Sequence, residues 1–210
     1  MALESGPVDH VVYAAPDLEA AVGDLELRLG VRAAYGGSHP GAGSHNALLD
    51  LGAGAYLEII APDPGQPEPV GRARPFGLDD LAAARLVGWA AKASDLPGRV
   101  AAAQAAGYDP GEARAMRRRR PDGVELAWML TTGGPGAGGL APFLIDWGAT
   151  PHPAASAPQG CRLVGLWGRH PQAEAVRASL AALGVELPVE AGAVGLVARL
   201  DTPNGVVELT

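Results

Sequence analysis

HVVYAAPDLEAAVGDLELRLGV, His10 to Val31, reads as an apolar strand, a turn, an amphipathic helix and a glycine stop. Asp17 is placed to cap the helix, while Leu18, Val22, Leu25 and Leu29 give it one apolar stripe. Gly30 suits the left-handed position at the helix end. The plan returns in VGWAAKASDLPGRVAAAQAAGY, Val87 to Tyr108, with Asp95 as cap and Pro97 in the first turn. It returns again in VGLWGRHPQAEAVRASLAALGV, Val164 to Val185, where Val176, Leu180 and Leu183 form the buried face. The stop glycines Gly30, Gly107 and Gly184 are spaced by 77 residues each time, which predicts a duplicated supersecondary unit.

Outward from each helix lie strands. HNALLDL and AYLEII flank Gly52-Ala53-Gly54, EARAMRRRR and VELAWMLTT flank Pro121-Asp122-Gly123, and GLVARLDT and VVELT flank Pro203-Asn204-Gly205. Each pair reads as a hairpin. The expectation is an α+β protein of repeated β-α-β-β-β modules over 8–63, 84–148 and 161–210, with 64–83 and 149–160 as linkers or loops. The proline-rich run from Pro62 to Pro75 and the glycine-rich run from Gly133 to Gly139 are loops, or lids over a pocket.

Composition narrows the function classes. The chain has 210 residues, 48% of them hydrophobic, enough for a real core. A net charge of −7 leaves no basic excess to neutralise phosphates, which argues against nucleic acid as a partner. No apolar run approaches the roughly 20 residues that span a bilayer, and MALESGPVDH lacks the features of a signal peptide. Cys161 stands alone, so neither an intrachain disulfide nor a cysteine zinc knuckle forms. These features predict a soluble cytoplasmic protein.

The chemistry is concentrated in GGSHPGAGSHNALLDLGAGAYLEIIAPD, Gly36 to Asp63, which sets His39, His45, Asn46 and Glu58 around two strands, with His10 on the first strand. Side chains alternate across a strand. A turn about Gly52-Ala53-Gly54 that sets Leu51 opposite Tyr56 and Leu49 opposite Glu58 puts His45 on the face of Glu58 and Ile60. A carboxylate inside YLEII is costly to bury unless a histidine, an arginine or a metal compensates it. Each residue also has a plainer reading: Asn46 can hold a turn, and His39 before Pro40 can merely shape the loop. In the run Arg117 to Arg120, alternation sends one pair inward, where Arg118 or Arg120 can clamp a carboxylate or phosphate. A solvated strand end is the plainer alternative. Trp128 and Trp147 can wall a pocket or simply fill a core.

The β-α-β-β-β repeat, with a histidine on its first strand and a glutamate on its last, resembles the vicinal oxygen chelate superfamily. That superfamily includes glyoxalase I, extradiol dioxygenases, methylmalonyl-CoA epimerase and the fosfomycin and bleomycin resistance proteins. More narrowly, GGSHPGAGSHNALLDLGAGAYLEII with RRRRPDGVELAWML and APFLIDW resembles the bacterial glyoxalase-like domain family, from about His10 to Trp147, and TPNGVVELT is similar to the superfamily's closing hairpin. The resemblance implies two modules paired into an incomplete barrel with helices outside. Its concave face would hold one divalent ion, ligated from the first and last strands of each module. His10 and Glu58 match the first such pair. Val87 and Val164 stand at the repeat spacing from His10, so neither later unit offers a second first-strand histidine. His45 is then expected to make up the set for Fe(II), Mn(II), Ni(II) or Zn(II), with His39 and Asn46 binding substrate or bracing the ligands. Asp146, Glu125 and Glu208 are the options for a further acid; Glu208 fits the pattern best and is the expected proton carrier. The implied function is a metal-dependent lyase, isomerase or dioxygenase acting on a small oxygen-rich anionic metabolite. The alternatives are a drug-sequestering binding protein and a purely structural scaffold, and a homodimer is also implied.

Overall fold

Residues 8–120 and 123–210 are described by the computed structural model of the chain. The first module comprises β1 (Val8–Ala14), α1 (Leu18–Leu29), β2 (Ala34–His39), β3 (Ser44–Asp50) and β4 (Tyr56–Pro62). The second comprises β5 (Arg85–Lys92), α2 (Leu96–Ala105), β6 (Ala113–Arg119), β7 (Glu125–Thr131) and β8 (Phe143–Asp146). Asp17 accepts the Ala20 amide at 2.8 Å to start α1, and Gly30 ends it at φ 77°. Leu18, Val22, Leu25 and Leu29, the stripe expected from spacing, are all buried.

The two modules share one sheet of eight strands, ordered β2-β3-β4-β1-β5-β8-β7-β6. β1 runs parallel to β4 and β5 parallel to β8, pairings that need crossovers; α1 and α2 supply them. β1 and β5 are antiparallel neighbours, with His10 opposite Ala90 and Val12 opposite Gly88, so the modules are related by an approximate twofold between these strands. The outer strands curl together. Arg118 on β6 donates to the Gly36 carbonyl on β2, and a Cβ built on Gly37 would lie 3.0 Å from the Arg119 carbonyl oxygen. The result is an incomplete barrel with helices outside. Of the turn predicted at Pro121-Asp122-Gly123, the first two residues lie outside the described residues; β6 and β7 pair from Arg119 and Glu125 onward.

The third unit, β9 (Arg162–His170), α3 (Ala173–Leu183), β10 (Val189–Ala191), β11 (Gly195–Thr202) and β12 (Gly205–Leu209), repeats the element order but not the connection. Its separate four-stranded sheet runs β10-β9-β11-β12, so the strand after the helix lies beside the first strand instead of at the far edge. Val185, Leu187 and Val189 alternate into the core and hold the chain next to β9. In the first module only Ala33 is buried between Gly30 and Tyr35, and the chain runs out to the edge.

The third unit covers the helical face. Arg99 donates to the Leu183 carbonyl at 2.5 Å and Asn204 to that of Leu27 at 2.9 Å. Leu25, Leu29 and Leu96 share one buried cluster with Leu166, Leu180 and Leu196. The opposite, concave face keeps its own cluster of Val12, Ala14, Ile60, Ala90 and Phe143, onto which Leu78 and Phe76 of the 3-10 turn Pro75–Asp80 fold as a cover. No helix among the described residues is long and apolar enough to cross a membrane.

Candidate functional site

On the concave floor, His10 of β1, Glu58 and Tyr56 of β4, and Asn46 and Leu48 of β3 come together. The register of the β3–β4 hairpin decides this membership. Its loop is the three residues Gly52, Ala53 and Gly54, all at positive φ, closed by the Leu51 amide on the Ala55 carbonyl at 2.9 Å. Leu48 therefore pairs with Glu58 and Asp50 with Tyr56, one residue away from the expected register. A one-residue slip exchanges the faces of a strand. His45 accordingly points away from Glu58: its ring meets Tyr35 edge-on and its Nδ1 lies 4.0 Å from Asp63. Asn46 takes the inward place.

The cluster is tightly bonded. Asn46 Nδ2 donates to Glu58 Oε1 at 2.6 Å and lies 3.2 Å from His39 Nε2. An amide nitrogen can only donate, so His39 Nε2 accepts, and its Nδ1 carries the hydrogen toward Ser44 Oγ at 3.0 Å. Burial holds the His39 pKa below its ordinary value, against the pull of Glu58, consistent with this neutral form. Asn46 Oδ1 is buried without a hydrogen-bond partner. It faces Gly36, where a Cβ would sit 2.3 Å away, so only glycine fits there.

His10 completes the floor. Its Nε2 faces Glu58 Oε2 at 3.6 Å, and its ring stacks on Tyr56 at 4.5 Å between centroids. Its Nδ1 lies 2.7 Å from Asp9 Oδ1. The pairing of β1 with β5 shifts between Val8 and His10, a bulge that breaks the alternation of side chains and lets Asp9 share the site with its neighbour. Asp9 is fully buried and also takes hydrogen bonds from His152 Nε2 at 3.0 Å and Trp147 Nε1 at 3.1 Å. Burial alone would raise its pKa, but the hydrogen bonds from His10 and His152 outweigh that and hold it well below the usual carboxylate range. Ionised Asp9 can only accept, so His10 Nδ1 donates. Burial likewise pushes the Tyr56 hydroxyl well above its ordinary pKa, with Asp9 and Glu58 adding to the effect.

Arg118 reaches in from the far edge and is 4% exposed, whereas Arg117 and Arg119 face outward. Arg118 and Arg120 line a cavity of about 190 Å³ between β2 and β6, bounded by Gly36, Leu48 and Leu126. Trp128 lies on the concave face against Trp147, ring centroids 5.1 Å apart. Glu208 does not join the site: it lies on β12 of the other sheet, half-exposed and paired with Arg199 at 2.7 Å. Glu125 is exposed on β7, and Asp146 turns back to cap the Gly148 amide at 2.8 Å.

The donor set does not fit a resident divalent ion of the kind the superfamily resemblance implies. The approximate twofold that pairs His10 with Ala90 and Val12 with Gly88 carries His10 onto Gly88 and Glu58 onto Phe143. Neither counterpart has a donor, and Pro135 fills the space over Gly88, 2.7 Å from where a Cβ would be. On the first module's side the Asn46 amide already occupies Glu58 Oε1. Among the described residues no group of three or more histidine, cysteine or acidic side chains is arranged to hold a metal.

Asp9, Tyr56, Phe143 and His152 were absent from the sequence-derived site. Asp9 carried a usable signal, an acid inside an apolar strand as in YLEII, but strict alternation sends it to the face opposite His10. His152 lies in an irregular segment that no periodicity places.

The sequence profile of a family described as glyoxalase-like domain matches residues 8–184. Among solved structures, a hypothetical protein from Staphylococcus aureus superposes with a TM-score of 0.63, covering 96% of this chain and 83% of its own at 13% identity. Methylmalonyl-CoA epimerase from Mycobacterium tuberculosis gives a TM-score of 0.43 over 73% of this chain and 97% of its own, at 22% identity. The Streptomyces coelicolor epimerase in complex with 2-nitronate-propionyl-CoA gives 0.43 over 69% and 99%, at 18% identity. At such identities the likeness is one of fold. No curated protein sequence matches the chain.

Proposed function

Because the chain belongs to the glyoxalase-like domain family, we propose that its concave floor binds a small oxygen-rich anionic metabolite and moves a proton on it, as an isomerase or lyase does. One observation carries this reading: His10 Nε2 and Glu58 Oε2 face each other at 3.6 Å on a nearly dry floor, without closing a hydrogen bond.

The two groups are held for different tasks. Asp9 fixes His10 by its Nδ1, which turns the Nε2 lone pair into the cleft as a base. Asn46 holds Glu58 by Oε1 and leaves Oε2 toward the same space. Removing a proton from a carbon beside a carboxylate or carbonyl puts negative charge on oxygen, and a buried guanidinium such as Arg118 stabilises that charge. Return of the same proton from the protonated base to a neighbouring atom of the enolate gives an isomer; loss of a neighbouring leaving group gives lyase chemistry. Tyr56, Phe143 and the Phe76 cover exclude water from these steps. Since the donors do not fit a divalent ion, no step is assigned to one, and the dioxygenase option loses its support.

The test is deuterium incorporation. Wild-type protein with chelator in D2O is offered a panel of 2-hydroxy, 2-oxo and malonate-type acids and followed by proton NMR. The reading expects exchange at the carbon beside the acid group, reduced about a hundredfold or more in Glu58→Gln and His10→Gln. Exchange that needs an added metal, or that survives both substitutions, overturns it. The second reading, a binding protein without chemistry, is favoured by the missing partner groups at Gly88 and Phe143; it predicts ligand binding with no exchange.

A further inference from the structure

A carboxylate as buried as Glu58, 7% exposed, requires a compensating positive charge. The concave face does not arrange a divalent ion to supply it, since Gly88 and Phe143 stand where the second pair of donors would be. The positive charge comes instead from the opposite rim. Arg118 crosses the gap between β6 and β2 and donates to the Gly36 carbonyl through Nη1; burial lowers its pKa, and the charge of Glu58 partly offsets that. Its neighbours Arg117 and Arg119 are exposed on the other face of the strand, so this one arginine of the run is spent inside. Burying a guanidinium is costly, and the close approach also favours glycine at 37, where a Cβ would lie 3.0 Å from the Arg119 carbonyl oxygen. A surface strand end needs none of this.

We propose that Arg118 is the resident cation of this site in place of a divalent ion, and that it selects substrates by a carboxylate or similar planar oxyanion. The contact to Gly36 uses one nitrogen of a fork that carries five N–H donors, and the rest of the fork borders the cavity between β2 and β6. A planar oxyanion meets that fork with two parallel hydrogen bonds, which a point-charge ammonium cannot match. The cavity, about 190 Å³, is smaller than the roughly 300 Å³ at which pockets begin to hold drug-sized ligands. Its apolar walls, Leu48 and Leu126, leave room for a short carbon chain. The ligand class is therefore a short organic acid whose acid group lies against Arg118 and whose carbon chain lies against Leu48, the cross-strand partner of Glu58. This assignment rests on the proton-transfer reading of the neighbouring floor but is read out by binding alone.

The experiment measures calorimetric binding of oxalate, glycolate and inorganic phosphate to wild type, Arg118→Lys, Arg118→Gln and, as an outward-facing control, Arg117→Gln. In parallel, each protein is loaded with Zn(II), Mn(II) or Ni(II), dialysed and analysed for retained metal. Thermal melts keep any unfolded variant out of the comparison. The expected result is oxalate and glycolate binding by wild type and Arg117→Gln, about tenfold or more weaker in Arg118→Gln and partly restored in Arg118→Lys, with no stoichiometric metal in wild type. Equal anion binding in Arg118→Gln and Arg117→Gln, no binding of any anion by wild type, or one equivalent of metal held by wild type each overturns the proposal. Exchange failing while Arg118-dependent binding persists overturns the proton-transfer reading alone.

Discussion

Glu58 and Asp9 are carboxylates inside apolar strands, and each is held by named hydrogen-bond donors: Asn46 for the first, His10, Trp147 and His152 for the second. Two of the site's groups tie stability to pH. Asp9 has a folded pKa below its unfolded one, so its contribution is full above about pH 4 and is lost as pH falls further. His39 is held neutral by burial, so the unfolded chain binds its proton first, and stability declines as pH falls below about 6.5. Urea unfolding over a pH series should show the wild type losing stability from about pH 6.5 downward. His39→Gln should flatten the upper part of that slope and Asp9→Asn the lower part; unchanged slopes would contradict the assignments. The sequence disclosed His10, His39, Asn46 and Glu58 as a group because they crowd one segment and its neighbouring strand. It misplaced His45 because one residue more or less in a glycine loop inverts a strand, and it missed Asp9 because a bulge is not a periodic feature.

The helices were legible as elements, since caps, apolar stripe and glycine stop are local. What the linkers do was not. The segment after β4 is fastened to the β2–β3 hairpin by side chains on backbone groups: Gln66 to the Ser44 carbonyl at 3.1 Å, Arg74 to the Gly43 carbonyl at 3.0 Å, and Arg72 to the Gly41 carbonyl. Arg74 is itself held by Asp79 at 2.5 Å. The cover bearing Phe76 and the hairpin bearing His39 are thus one mechanical piece. Arg74→Ala should cost about 1 kcal/mol locally, seen as faster amide exchange in residues 39–44 and 74–80 with little change in the global melt. If exchange quickens in only one of the two segments, they are not coupled. Sequence pattern suggested a lid from proline content, but these contacts depend on how the chain folds back and have no spacing signature.

At the scale of the whole molecule, duplication was readable and its use was not. Two units pair into the barrel that holds the site; the third, connected differently, caps the helices. The stop glycines keep their 77-residue spacing through all three units, yet the structural equivalence between the first two is 78 residues, from His10 to Gly88. Sequence spacing is set by loops, while structural equivalence is set by strand pairing. Because the cluster containing Leu196 is continuous with that of α1 and β1, Leu196→Ala should cost about 2–5 kcal/mol and lower the melting of barrel and third unit together. Separate transitions, followed through tryptophans of each part such as Trp89 and Trp167, would show that the third unit is independent.

One comparison decides where proton transfer occurs: the rate of deuterium incorporation into a short organic acid by Glu58→Gln and by Glu208→Gln. The predicted result is a loss of about a hundredfold or more in Glu58→Gln and a wild-type rate in Glu208→Gln. Full exchange in Glu58→Gln, or its loss only in Glu208→Gln, would contradict the assignment of the concave floor as the functional centre.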